Sequence, residues 1–188
     1  MPRPNPLLAW CRSHLVRRPI APIRGPRPLG VEVLEPREVP ATFDVTSLAD
    51  GGTGSGSLRS AIISANTSFQ NQTNTINLRN GTYSLALGGT FEDAGATGDL
   101  DITGNQTLII QGNGAGVTVI DAELIDRVFH VIGSGVSVTF KDLTITGGYL
   151  ESTPEHLTLH GGGILNEGGN VTLSGVTITG NELTGFTD

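Results

Sequence analysis

The stretch VTFKDLTITGG (residues 138–148) returns 33 residues later as VTLSGVTITGN (residues 171–181). Recurrence at a period of a few tens of residues is the mark of a solenoid, in which each repeat buries its apolar face only against its neighbours. Within each copy the side chains alternate. Val138, Phe140, Leu143 and Ile145 correspond to Val171, Leu173, Val176 and Ile178, while Thr139, Thr144 and Thr146 correspond to Thr172, Thr177 and Thr179. A period of two sends the first set to a core and the second to water, which reads as strands. Gly147, Gly148 and Gly180 close the copies where the chain must turn sharply.

Extended backwards without a gap, the alignment lays HVIGSGVSVTF from His130 over GILNEGGNVTL from Gly163, setting Val131 against Ile164 and Gly135 against Gly168. A weaker copy, LIIQGNGAGVTVI, places Leu108, Ile110, Val117 and Val119 at the same inward positions with a longer turn. Short β-branched strands between Gly/Asn/Asp corners predict an all-β chain, a parallel β-helix of roughly three coils. A sandwich would need two-residue hairpin turns, and the one Asn-Gly, Asn80-Gly81, lies upstream of the repeats, where it could close a hairpin or a solenoid corner.

Nine of the ten prolines fall at or before Pro40, together with seven arginines, Trp10 and Cys11. Such a segment sustains neither helix nor sheet, so residues 1–41 read as a disordered leader or targeting segment. Its longest apolar run, LLAW, is too short for a secretory signal core. No segment offers the ~20 apolar residues of a transmembrane helix. After residue 41, four basic residues stand against fifteen acidic ones, a net −11. That charge excludes nucleic acid as a partner. The Cys-free body has no disulfide framework and no thiolate metal site.

Residues 42–99 read as an N-terminal cap with the first strands, and residues 100–188 as the coils. The cap holds one helix near 57–66, with Ser57 as N-cap and Leu58, Ala61, Ile62 and Ala65 on one face. So short a helix must bury that stripe, and an open end of the solenoid is the place for it.

FDVTSLADGGTGSGSLRSAIISAN, followed by TINL, GTYSLAL, LDITGNQTLIIQGNGAGVTVIDA, RVFHV, GGGILNEGG and the two repeats, resembles the N-terminal part of bacterial secreted right-handed β-helix proteins. These include the polymorphic outer membrane proteins and proteins whose helix box reads Cys-Ser-Leu-Arg-Glu-Ala. Ser57, Leu58, Arg59 and Ala61 match that box, whereas Gly56 stands at the Cys position and Ser60 at the Glu position. VEVLEPREVPA (residues 31–41) resembles a Leu-Glu-Pro-Arg leader box of large extracellular bacterial proteins. The resemblance implies an exported protein of the bacterial cell surface, outer membrane or medium.

The outward positions of the repeats are mainly Thr and Ser, without stacked acidic and basic residues. The expected role is therefore structural, adhesive or binding, not enzymatic, with a surface glycan or protein as ligand. The alternative is the N-terminal fragment of a carbohydrate-active β-helix enzyme, a polysaccharide lyase or glycoside hydrolase, whose paired carboxylates would lie on other coils. Glu92, Asp93, Asp99 and Asp101 are calcium candidates in the loop FEDAGATGDLD, which lacks an ordered ligand alternation and reads as solvated. His156 and His160 would converge on a metal only in a helix; the alternation of EHLTLH makes the segment a surface insertion. Five Asn-x-Ser/Thr triplets, at Asn66, Asn71, Asn80, Asn105 and Asn170, read as asparagine corners before Thr-rich strands. The residues after GVTITG are too few for a second cap, so Leu173, Val176 and Ile178 are expected to be exposed on the last coil. This edge would receive further coils or a second chain.

Overall fold

A computed structural model describes residues 40–68, 70–153 and 159–185, all within one compact unit, Glu38–Asp188. The leader through Val39, His156 and Phe186 lie outside the described residues.

The chain runs β1 (Thr42–Asp44), α1 (Leu58–Ser68), β2 (Thr73–Asn77), β3 (Gly81–Ser84), β4 (Leu100–Ile102), β5 (Gln106–Gln111) and β6 (Thr118–Asp121). It continues through β7 (Phe129–Ile132), β8 (Val136–Lys141), β9 (Thr144–Thr146), β10 (Tyr149–Glu151), β11 (Ile164–Glu167), β12 (Asn170–Ser174), β13 (Thr177–Ile178) and β14 (Glu182–Thr184). Every strand pairing is parallel. Three sheets form the walls, in the orders β1-β2-β5-β8-β12, β3-β6-β9-β13 and β4-β7-β11, with a small β10-β14 ribbon at one corner. From β2 onward, consecutive strands lie in different sheets and return to the same sheet one coil later. This is the expected parallel β-helix. The stack exceeds roughly three coils because β1 and β2 add two rungs below β5.

Alternation builds the core. Val138, Phe140, Leu143 and Ile145 are fully buried, stacked on Leu108, Ile110 and Ile120 of the previous coil. Phe129 and Phe140 meet inside the tube with ring centroids 4.6 Å apart at a 54° tilt. Such an aromatic contact adds about 0.5–1.5 kcal/mol to the area buried. Ser57 caps α1 as expected, its Oγ accepting the Ser60 amide at 3.1 Å. The Leu58, Ala61, Ile62 and Ala65 stripe joins the core, and the helix packs against β4, the edge strand of its sheet.

Two details of register and one of burial differ from the sequence alignment. Ile120, not Val119, stacks on Ile145, so Thr118 and Ile120 point inward and Val117 is 44 % exposed. The 112–116 turn, held by the Gly112 and Gly114 amides on carbonyls of Lys141 and Asp142, absorbs the extra residues and reverses the expected faces. Ile164 pairs with Phe129 and Asn166 with Val131, a spacing of 35 where β8 and β12 keep 33. The difference lies in the corners. Gly133 and Gly168, at φ 98° and 97°, are the equivalent turn residues, in place of Gly135 and Gly168. Thr144 pairs with Thr177 as expected, yet it is buried, because the same 112–116 turn folds over it and the Gly116 amide donates to its Oγ1 at 3.0 Å.

Candidate functional site

Among the described residues the chemistry concentrates on the outer face of the β4-β7-β11 sheet. Leu100 and Ile102 point into the tube, as do Phe129 and Val131, so Asp101 and His130 point outward from paired positions on adjacent coils. An outward side chain of a β-helix is normally wet. Here Asp101 is 0 % and His130 5 % exposed, because the acidic segment 91–98 folds back as a flap over this column.

The flap is fastened from both ends. Arg59, the matched box residue, is buried and forms a fork on Asp50, Nε to Oδ1 at 2.8 Å and Nη2 to Oδ2 at 3.1 Å. Its remaining donors reach the carbonyls of Gly95 at 3.0 Å, Gly98 at 2.7 Å and Asp99 at 2.9 Å. Burial alone would raise the Asp50 carboxyl. The Arg59 guanidinium and the amides of Ala86 and Leu87 outweigh it and hold Asp50 below the usual carboxylate range. Asn66, one of the Asn-x-Ser/Thr positions, locks the helix to β4, donating to the Asp101 carbonyl at 2.7 Å and accepting from the Thr103 amide at 3.1 Å. Gly56 stands where the resembled helix box has Cys. Its φ is 74°, and a Cβ there would collide with Thr46 Oγ1.

The four calcium candidates separate into different roles. Glu92 is a turn-former, its carboxylate accepting the amides of Ala94 at 3.1 Å and Thr97 at 2.9 Å. Asp99 pairs with Arg127, Oδ2 to Nη1 at 3.3 Å, beside buried Asp126. Asp93 and Asp101 converge instead on His130. Its Nδ1 lies 3.5 Å from Asp93 Oδ1 and 3.4 Å from Asp101 Oδ1, while its Nε2 lies 3.5 Å from Glu167 Oε2. Burial, with Asp126 as a neighbour of like charge, pushes Asp99 up to about 7. Burial and the Asp99 charge push Asp101 up to about 8.

Hydrogen bonding leaves this centre incomplete. The second oxygen of Asp101 accepts the Gly95 amide at 2.6 Å, but Asp101 Oδ1 and both ring nitrogens of His130 are buried without a hydrogen-bond partner among the described residues. A buried polar atom left unsatisfied costs about 1–3 kcal/mol, so three together mark a place held for something other than packing. The alignment hid His130 by laying it over Gly163. Strand alternation in RVFHV was the available signal, and it became informative only with the register that brings His130 beside Asp101. His160, expected on a surface insertion, contributes its carbonyl to Arg127 Nε at 3.1 Å.

A second surface lies at the corner between β2 and β5. It is an open groove lined by Pro40, Asn71, Gln72, Asn105, Thr107 and Gly135, rich in amides and hydroxyls and without a charged side chain. At the end of the stack, Leu173 and Ile178 are 48 % and 45 % exposed on β12 and β13. No helix among the described residues is long and apolar enough to cross a membrane. Comparison of the chain with protein-family models, with curated proteins and with solved structures gives no match.

Proposed function

We propose that the chain is an exported bacterial β-helix protein with a structural or binding role at the cell surface or in the medium, able to pair with another chain through its exposed β12-β13 edge. The observation that carries this reading is the state of that edge. In each preceding coil the columns now ending at Leu173 and Ile178 are buried by the next strand, as Phe140 is under Leu173 and Ile145 under Ile178. A parallel edge with exposed apolar side chains is a template for strand addition. The uncharged amide-lined corner suits the hydroxyls of a glycan, and the surface location rests on the likeness to polymorphic outer membrane proteins and on the leader box.

Sedimentation of the full chain at micromolar concentration tests the edge. Association that is lost when Leu173→Lys and Ile178→Lys are combined supports the reading; a stable monomer that binds no hydrophobic dye contradicts it. The second reading, a carbohydrate-active enzyme, draws on Asp99, raised toward neutrality beside Arg127, and on its neighbour Asp101, since carboxyls so perturbed gather at active sites. Turnover of an acidic or neutral polysaccharide that disappears in Asp101→Asn would establish it. The binding reading expects none.

A further inference from the structure

The unsatisfied atoms at the flap share one geometry. Nδ1 of His130 faces two carboxylate oxygens at 3.4 and 3.5 Å, and the three atoms all lie within 4.8 Å of one another. Those separations are too long for good hydrogen bonds. They match the ligand-to-ligand edge of a tetrahedral site, since bonds of about 2.1 Å to nitrogen and oxygen place neighbouring ligands ~3.4 Å apart. Glu167 Oε2 lies 3.5 Å from Nε2, on the other side of the ring from the two aspartates, so Nδ1 is the ring nitrogen that faces them. Two carboxylate oxygens and a ring nitrogen facing a common point at these separations would all be satisfied by one cation held there.

We propose that Asp93, Asp101 and His130 form a divalent transition-metal site, with zinc as the best-suited ion, closed by the flap and keeping one coordination position for water or a ligand oxygen. The donor set selects the ion. Calcium takes six to eight oxygens, whereas one imidazole nitrogen with two carboxylates suits zinc and its first-row neighbours. The surrounding charge favours any cation, because Asp99, Asp126, Glu92 and Glu167 outnumber Arg127 and Arg59 around the centre. Asp101 and His130 are buried on rigid adjacent strands, while Asp93, 74 % exposed on the flap, supplies the outer ligand. Metal binding would therefore add a second tie between the flap and the coils, through Asp93, beside the Gly95 carbonyl held by Arg59.

The test is equilibrium dialysis and thermal melting of the full chain, stripped by chelation and then titrated separately with Zn2+ and Ca2+. The expected result is one Zn2+ bound per chain and a raised melting temperature. Asp93→Asn should weaken uptake by on the order of 10- to 100-fold, at least as much as the loss of an outer-shell partner. His130→Gln should weaken it as strongly. Glu167→Gln should weaken it less, by disturbing the ring and not the coordination. Because Asp93 is exposed, Asp93→Asn keeps its fold even if His130→Gln does not. Unchanged Zn2+ uptake in Asp93→Asn, no uptake by the unsubstituted chain, or tight Ca2+ binding indifferent to His130→Gln would each overturn the assignment.

Discussion

Arg59 is one side chain joining three parts of the chain: the helix it belongs to, Asp50 on the preceding loop, and the carbonyls of Gly95, Gly98 and Asp99 in and just after the flap. Removing one member of a buried pair strands the other, which costs about 3–5 kcal/mol. Arg59→Ala should therefore lose stability of that order in urea unfolding, and a loss within experimental error of zero would deny the fork its role. Asp50 gives the pair a pH signature. Its carboxyl is held below the ordinary value in the folded chain, so its contribution is complete above the unfolded value of about 3.9 and drains away as pH falls through the lower folded one. The stability advantage of the unsubstituted chain over Asp50→Asn should persist near neutrality and vanish in acid. An advantage that is the same at both would place it in packing, not charge. The faces of the strands are tested at this scale too. Phe140→Asp buries an unpaired charge and should unfold the body, while Thr139→Asp, half-buried on the outer face, should cost within about 1 kcal/mol.

Among the elements, strands with strict alternation were legible from sequence, and so was the helix with its Ser57 cap. Val138, Phe140, Leu143 and Ile145 face the core because side-chain direction has a period of two whatever surrounds the strand. What alternation cannot supply is register across a corner of variable length. Val117 and Val119 lay in an alternating run as persuasive as Thr118 and Ile120, and the choice between the two sets was made by the 112–116 turn, a matter of backbone hydrogen bonding. Thr144 was assigned to water for the same reason: a single strand carries no mark of a neighbouring turn folded over it. The candidate centre was half legible. Asp93 and Asp101 stood out as acidic residues, but His130 joined them only through a 29-residue pairing of β4 with β7 that no repeat announces. The corrected register predicts that Ile120→Asp unfolds the body and Val117→Asp leaves its melt within a few degrees of the original. A larger loss from Val117→Asp than from Ile120→Asp in circular-dichroism melts would restore the sequence alignment, and equal losses would contradict the corrected register.

For the whole molecule, the account rests on stacking in register: the buried columns, the paired Asp101 and His130, and the exposed edge at Leu173 and Ile178 all follow from strands lying parallel with fixed partners. Thr139 and Thr172 are one such pair, outward on β8 and β12, and the described body has no cysteine of its own. Adjacent parallel strands hold Cα atoms about 4.8 Å apart, inside the range a disulfide spans, whereas a slip of two residues takes them beyond ~7 Å. With Cys11→Ser as background, the most direct measurement is the rate and yield of intramolecular disulfide formation in Thr139→Cys/Thr172→Cys against Thr139→Cys/Ser174→Cys. The account predicts ready, near-complete closure of the first pair in the folded chain and little of the second; equal closure of both, or preference for the offset pair, would contradict the parallel stack.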